Sequence, residues 1–128
     1  VLRESRFISV HTPLTPETRG LIGKDAFAKM RKDAWLINAS RGPVVDEAAL
    51  IAALKSGEIG GAALDVFEQE PPADDNPLFS MDNVVLSPHN AALSDNALRA
   101  MAMDSAQGLA DYLMGKRPQF PVNPDVLH

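Results

Sequence analysis

The chain has 128 residues, 12 Lys+Arg against 17 Asp+Glu, and a formal net charge of −5. Its 45% apolar and 23% charged content is that of a soluble globular domain, with room for one hydrophobic core and not two. The acidic balance speaks against nucleic acid or an anionic membrane as partner, and no apolar run approaches the ~18 residues of a membrane span.

Cysteine is absent, which excludes disulfides, thiolate zinc sites and a thiol nucleophile. The first residues carry Arg3, Glu4 and Arg6 and do not read as a signal peptide, so the expected setting is cytoplasmic. His11, His89 and His128 stand on separate segments without metal-ligand spacing, and no metal site is expected.

Phe7-Ile8-Ser9-Val10 is a short apolar run, the first candidate strand, halted by His11-Thr12-Pro13. Two prolines, Pro13 and Pro16, keep the next stretch a loop. Residues 25–31 read as a short helix, with Asp25 at the positive end of its dipole. Trp35-Leu36-Ile37 is a second buried strand, ending in the polar turn 38–43. Asp46 then caps a helix with Ala49, Leu50, Ala53 and Leu54 on one face, and Gly57 suits the left-handed residue that closes it.

Residues 61–67, Gly-Ala-Ala-Leu-Asp-Val-Phe, form the third predicted strand, whose small residues suit close cover by helices. A loop rich in Pro, Asp and Asn follows over 68–83. Val84-Val85-Leu86 is the fourth strand, stopped by Ser87-Pro88-His89. The longest helix covers about 95–114, with Leu98, Met101, Ala102, Leu109, Tyr112 and Leu113 in one apolar stripe and Gly115 as its stop. Residues 116–128 hold three prolines and read as an extended tail.

Strands alternating with helices predict right-handed βαβ crossovers and a mostly parallel sheet covered on both faces. Ligands of such sheets bind beyond the carboxyl ends of the strands. The four strand exits carry His11-Thr12-Pro13, Ala39-Ser40-Arg41-Gly42, Asp65 to Glu70, and Pro88-His89-Asn90. Taken singly, each has an ordinary structural reading: a surface ion pair for Arg41, a solvated loop for the histidines, a turn cap for Asp65. Together they bring an arginine, two carboxylate candidates in Glu68 and Glu70, and a histidine to one rim. An arginine fork matches a carboxylate, a histidine exchanges protons near neutral pH, and a carboxylate on its far nitrogen fixes the tautomer. That set suits reduction of a carbonyl beside a carboxylate, provided a cofactor brings the reductant.

The segments VHTPLTPETRGLIG (10–23), WLINASRGPVVDEAAL (35–50), GGAALDVFEQEPP (60–72) and VVLSPHNAALS (84–94) resemble, in order and interval, the signatures of the D-isomer-specific 2-hydroxyacid dehydrogenases. The resemblance covers nearly the whole chain. It implies the second half of a Rossmann-like doubly wound parallel sheet, with NAD as cofactor (NADP not excluded) and a small 2-hydroxy acid or 2-oxo acid as substrate. By the same resemblance Arg41 holds the substrate carboxylate and carbonyl, His89 is the general acid/base, and Glu70, five residues after Asp65, is its partner. Glu68 is the competing assignment for that glutamate. Cofactor contacts are implied for His11, Thr12, Pro13, Ala39, Ser40, Arg41 and Asp65, and for the stretch His89, Asn90, Ala91 and Ala92. A homodimer of the complete protein is implied too.

Two departures stand out. Many members follow the histidine with a glycine-containing run, where this chain has Asn90-Ala91-Ala92-Leu93-Ser94. The eight glycines form no G-x-G-x-x-G, the loop that would cradle the cofactor pyrophosphate at a helix N-terminus. The expectation is therefore that residues 1–115 are the C-terminal part of an NAD-binding domain, and that 116–128 reach toward an absent substrate domain. The isolated chain is expected to be inactive, and marginal or self-associating through uncovered sheet surface. A dinucleotide-sensing, corepressor-like binding protein on the same scaffold is the alternative reading.

Overall fold

The computed structural model describes residues 1–126; Leu127 and His128, the end of the expected tail, lie outside the described residues. Two compact units divide the chain, residues 1–91 and residues 92–128.

The first unit is built on a four-stranded parallel sheet in the order β1-β2-β3-β4, with β1 at Phe7–Val10, β2 at Trp35–Asn38, β3 at Gly61–Leu64 and β4 at Val84–Leu86. The register pairs Ile8 with Leu36, Leu36 with Ala62, and Leu64 with Leu86. All four strands point the same way, so their carboxyl ends share one edge, as the alternation of elements predicts.

Helix α1 spans Lys24–Phe27 and α2 spans Glu47–Ser56. The expected helix over 25–31 is shorter than its apolar spacing suggests. From Lys29 the hydrogen bonds tighten to i→i−3, with Lys29 N–H donating to the Ala26 carbonyl and Met30 N–H to that of Phe27. This tighter turn brings Phe27 and Met30, both buried, to one side. Helix α2 matches its sequence signals: the Asp46 carboxylate accepts from Ala49 N–H at 2.9 Å, and Gly57 closes the helix at φ +68°.

β3 also ends earlier than the expected 61–67. Beyond Leu64 the chain leaves the sheet and passes across Gly42, against which the Phe67 carbonyl packs. The core unites Ile8, Val10, Leu36, Ala62 and Leu64 of the sheet with Phe27 of α1 and Leu50, Ala53 and Leu54 of α2. Within the first unit, α1 and α2 cover one face of the sheet. A sequential strand order with right-handed crossovers puts every connection on one side. The other face leaves Phe7, Ser9 and Val85 exposed and Trp35, Ile37 and Ala63 half-buried.

The second unit holds α3, Asp95–Leu113, capped by the Ser94 hydroxyl accepting from Ala97 N–H at 3.2 Å. No residue of α3 is buried, so its apolar stripe is exposed. After Gly115 the tail is irregular and then makes a 3-10 turn at Pro124–Val126, a departure from a fully extended tail. No helix of the described residues is long and apolar enough to cross a membrane.

Candidate active site

The exit of β2 is organised by Asn38, a residue to which the sequence reading gave no role. Buried at 1% exposure, it closes the strand, and its Oδ1 accepts from both the Ser40 N–H (3.1 Å) and the Ser40 hydroxyl (2.9 Å). Its amide Nδ2 donates to the Arg41 carbonyl at 3.0 Å. One side chain thus sets the backbone of Ala39-Ser40-Arg41, and the only hint in the sequence is an asparagine ending an apolar strand. Arg41 is exposed, with Nη1 donating to the Ser40 carbonyl at 2.7 Å, and no carboxylate within ion-pair distance among the described residues.

At the exit of β3, Asp65 is buried and its carboxylate is heavily used. Oδ1 accepts from the Ser87 hydroxyl and from Asn90 N–H (2.9 Å), while Oδ2 accepts from Ala91 N–H (2.9 Å). The Asp65 carbonyl accepts from His89 N–H at 2.9 Å. Burial pushes the Asp65 carboxyl upward, but the hydrogen bonds from Ser87, Ala91 and Asn90 outweigh it and hold it below its ordinary value. These four bonds tie residues 87–91 into a turn in which His89 takes φ +52°, a left-handed conformation that costs a non-glycine residue about 1–3 kcal/mol.

That turn presents the His89 ring to Glu70. Nδ1 of His89 and Oε2 of Glu70 are 2.7 Å apart, and Glu70 Oε1 accepts from Phe67 N–H at 3.0 Å. The Phe67 N–H bond, opposed by partial burial and joined by His89 and the nearby Arg41 charge, keeps the Glu70 carboxyl below its ordinary value. An ionised carboxylate only accepts, so Nδ1 carries the proton in this contact. The Glu68 carboxylate is engaged otherwise: its Oε2 accepts from Glu47 N–H at 3.3 Å, on the α2 side of the loop.

Arg41, Glu70 and His89 line one small pocket of about 150 Å³, together with Gly42, Phe67 and Glu68. Gly42 cannot be replaced without moving that pocket's wall, since a Cβ there would lie 1.7 Å from the Phe67 carbonyl oxygen. A larger cleft of about 610 Å³ is lined by His11, Thr12, Pro13, Leu14, Ala39, Ser40 and Arg41, so Arg41 borders both. Within it His11 Nε2 lies 2.7 Å from the Ser9 hydroxyl, and the Pro13 carbonyl accepts from the Thr18 hydroxyl at 2.7 Å. Thr12 Oγ1 is buried and has no hydrogen-bond partner among the described residues.

A third, apolar cavity of about 520 Å³ lies against Phe67, Pro71, Phe79, Leu86 and His89. The N–H groups of Asn90 and Ala91 are taken by Asp65, and Ala92 opens the second unit, its carbonyl accepting from Ser94 N–H at 3.0 Å. Among the described residues no group of three His, Cys, Asp or Glu could hold a metal ion.

The family profile "D-isomer specific 2-hydroxyacid dehydrogenase, NAD binding domain" matches residues 1–91. The chain belongs to the D-isomer-specific 2-hydroxyacid dehydrogenase family. That match ends where the first compact unit ends. Among this family's members, the glyoxylate/hydroxypyruvate reductase B of Escherichia coli O1:K1 / APEC is 52% identical over 126 residues, 98% of this chain and 39% of that protein.

The D-lactate dehydrogenase of Lactobacillus jensenii, solved with NAD+, superposes with a TM-score of 0.87 at 41% identity, over 94% of this chain and 40% of its own. A 2-hydroxyacid dehydrogenase of Xanthobacter autotrophicus Py2, solved with NADPH and MES, gives 0.83 at 43% identity, over 99% of this chain and 52% of its own. The chain thus spans about two fifths of the length of the curated relatives it matches.

Proposed function

We propose that this chain is the catalytic part of an NAD(P)-dependent D-2-hydroxyacid dehydrogenase that interconverts a small 2-oxo acid and its D-2-hydroxy acid. The observation that carries the reading is the 2.7 Å contact between His89 Nδ1 and Glu70 Oε2, in a pocket that Arg41 also lines. The reductase relative makes glyoxylate and hydroxypyruvate the first substrates to test.

His89, Glu70 and Arg41 divide the work by their chemistry. The Arg41 guanidinium binds the substrate carboxylate through its planar fork and draws charge from the adjacent carbonyl oxygen. In reduction the imidazolium of His89 gives its Nε2 proton to that oxygen, and in oxidation neutral Nε2 takes it back. Glu70, ionised and anchored by Phe67 N–H, keeps the ring oriented and compensates its positive charge.

The cleft beside Arg41 suits the nicotinamide end of a dinucleotide: Thr12 offers an unpartnered buried hydroxyl, and Ala39 and Ser40 present a backbone fixed by Asn38. When bound, the cofactor supplies or receives the hydride at C2. His11 and Pro13 line the same cleft, and Asp65 shapes the turn that carries His89. The family resemblance further supports a homodimer of the longer protein in a cytoplasmic setting.

The test uses the complete protein with NADH or NADPH and a panel of 2-oxo acids, followed by nucleotide absorbance. His89→Ala is expected to lower kcat by about 10²–10⁴-fold with little change in KM, the range of a lost general acid. Arg41→Ala is expected to raise KM as well. Turnover that survives both substitutions unchanged, or nucleotide binding with no turnover across the panel, refutes the reading.

A further inference from the structure

The loop that carries Glu70 is held from behind by α2. Two consecutive backbone donors point to two different carboxylates: Phe67 N–H donates to Glu70 Oε1 at 3.0 Å, and Glu68 N–H donates to Glu47 Oε2 at 2.9 Å. Glu68 returns the contact, its own Oε2 accepting from Glu47 N–H at 3.3 Å. The second oxygen of Glu47, Oε1, accepts from Asn76 Nδ2 at 2.7 Å, and Asn76 Oδ1 accepts from Leu78 N–H at 3.0 Å. Leu78 is buried in the core, so this chain of bonds is anchored at both ends. Two successive peptides are therefore gripped, Val66–Phe67 by Glu70 on the pocket side and Phe67–Glu68 by Glu47 on the α2 side.

We infer that Glu47 is a positioning residue for the Glu70–His89 pair, acting through Glu68 N–H and with Asn76 as its partner. The inference rests on the proposed role of that pair. Its physical content is directional. Glu47 accepts from two donors with two oxygens, and Asn76 cannot turn its own oxygen toward Glu47 because that oxygen caps Leu78 N–H. In Glu47→Gln one oxygen becomes an NH2 group, so a donor must face a donor. In Asn76→Asp two carboxylates meet at the present 2.7 Å contact. The double variant Glu47→Gln/Asn76→Asp reverses the bond: the glutamine NH2 donates to the aspartate, the aspartate still caps Leu78 N–H, and the glutamine oxygen still receives Glu68 N–H.

The experiment compares the complete protein with both single variants and the double, using two readouts beside the melting temperature. Nitrogen-15 NMR of the His89 ring reads the population protonated at Nδ1, and steady-state kinetics separate kcat from KM for the 2-oxo acid. Each single substitution is expected to reduce the Nδ1–H population and lower kcat about tenfold, the size of coupling between contacting groups, with KM within about twofold. The double is expected to restore both to within about twofold of the parent.

Single variants with an unaltered His89 ring and unaltered kcat overturn the inference, even if they melt lower, because Glu47 is then only a structural brace. So does a folded double variant as impaired as the singles combined. If one single variant does not fold, the other and the double decide in the same way. A parent protein that reduces no 2-oxo acid would sink the functional reading alone, since the ring measurement needs no turnover.

Discussion

Replacing Gly42 by alanine would put a methyl group where the chain after β3 already passes. The added Cβ would lie 1.7 Å from the Phe67 oxygen, 2.0 Å from its carbonyl carbon and 2.7 Å from Glu68 N. Contacts under 3.0 Å are essentially never sustained, so the segments must separate from 1.7 to at least 3.0 Å. All three neighbours are backbone atoms, and neither side has a rotamer to change. Overpacking a buried site ordinarily costs about 1–3 kcal/mol, and this crossing belongs at the upper end or above. For a chain of this length that is a fall in Tm of about 10 °C.

Gly57→Ala is the control: its φ of +68° makes alanine strained, but nothing lies within 4 Å, so only the conformational cost of about 1–2 kcal/mol applies. Thermal unfolding followed by circular dichroism measures both. The Gly42 variant must also disturb Phe67 N–H and hence the Glu70–His89 contact, visible in the His89 ring signals, whereas Gly57→Ala leaves them alone. A Gly42→Ala protein that melts no lower than Gly57→Ala refutes the close crossing.

Acid should weaken the fold in a defined direction. Asp65 and Glu70 are held below their ordinary 3.8 and 4.5, so the folded state binds fewer protons there than the unfolded state. Their contribution is complete above about pH 5 and is lost as pH falls through those values into the depressed ones. Urea unfolding between roughly pH 7 and pH 3 measures the slope, and Asp65→Asn should flatten it; an unchanged slope counts against the clamp on residues 87–91. Leu50→Ala in α2, where the side chain is 1% exposed, should cost about 2–5 kcal/mol by urea midpoint, and a loss under about 1 kcal/mol would place Leu50 outside the core. The exposed apolar side chains Phe7 and Val85 should make the 128-residue chain self-associate, and Phe7→Ser with Val85→Thr should reduce the light-scattering mass. A monodisperse monomer before substitution contradicts that expectation.

Much of the fold was legible because its signals are local. The apolar runs at 7–10, 35–37 and 84–86, the Asp46 cap and the Gly57 stop act within a few residues of where they stand. The short α1 and the early end of β3 were not legible, since a tight turn burying Met30 and a carbonyl over Gly42 answer to distant packing. Spacing alone left Glu68 and Glu70 open, and the interval within the motif favoured Glu70. The roles of Asn38, Glu47 and Asn76 were not legible, because each acts through partners up to 29 residues away or through a turn that the strand end creates.

By itself, then, the sequence determined the parallel α/β class, the succession of elements along the chain, and which residue types would stand at the strand exits. Motif order and interval, which survive without coordinates, carried the family resemblance. Tertiary structure decided which carboxylate meets His89, that Asp65 grips the turn around it, and that both helices of the first unit pack on one face of its sheet. The physical reason is range. Propensity, capping and periodicity act over one or two turns of chain, whereas a 2.7 Å contact between residues 19 apart exists only once two strand ends have been packed side by side.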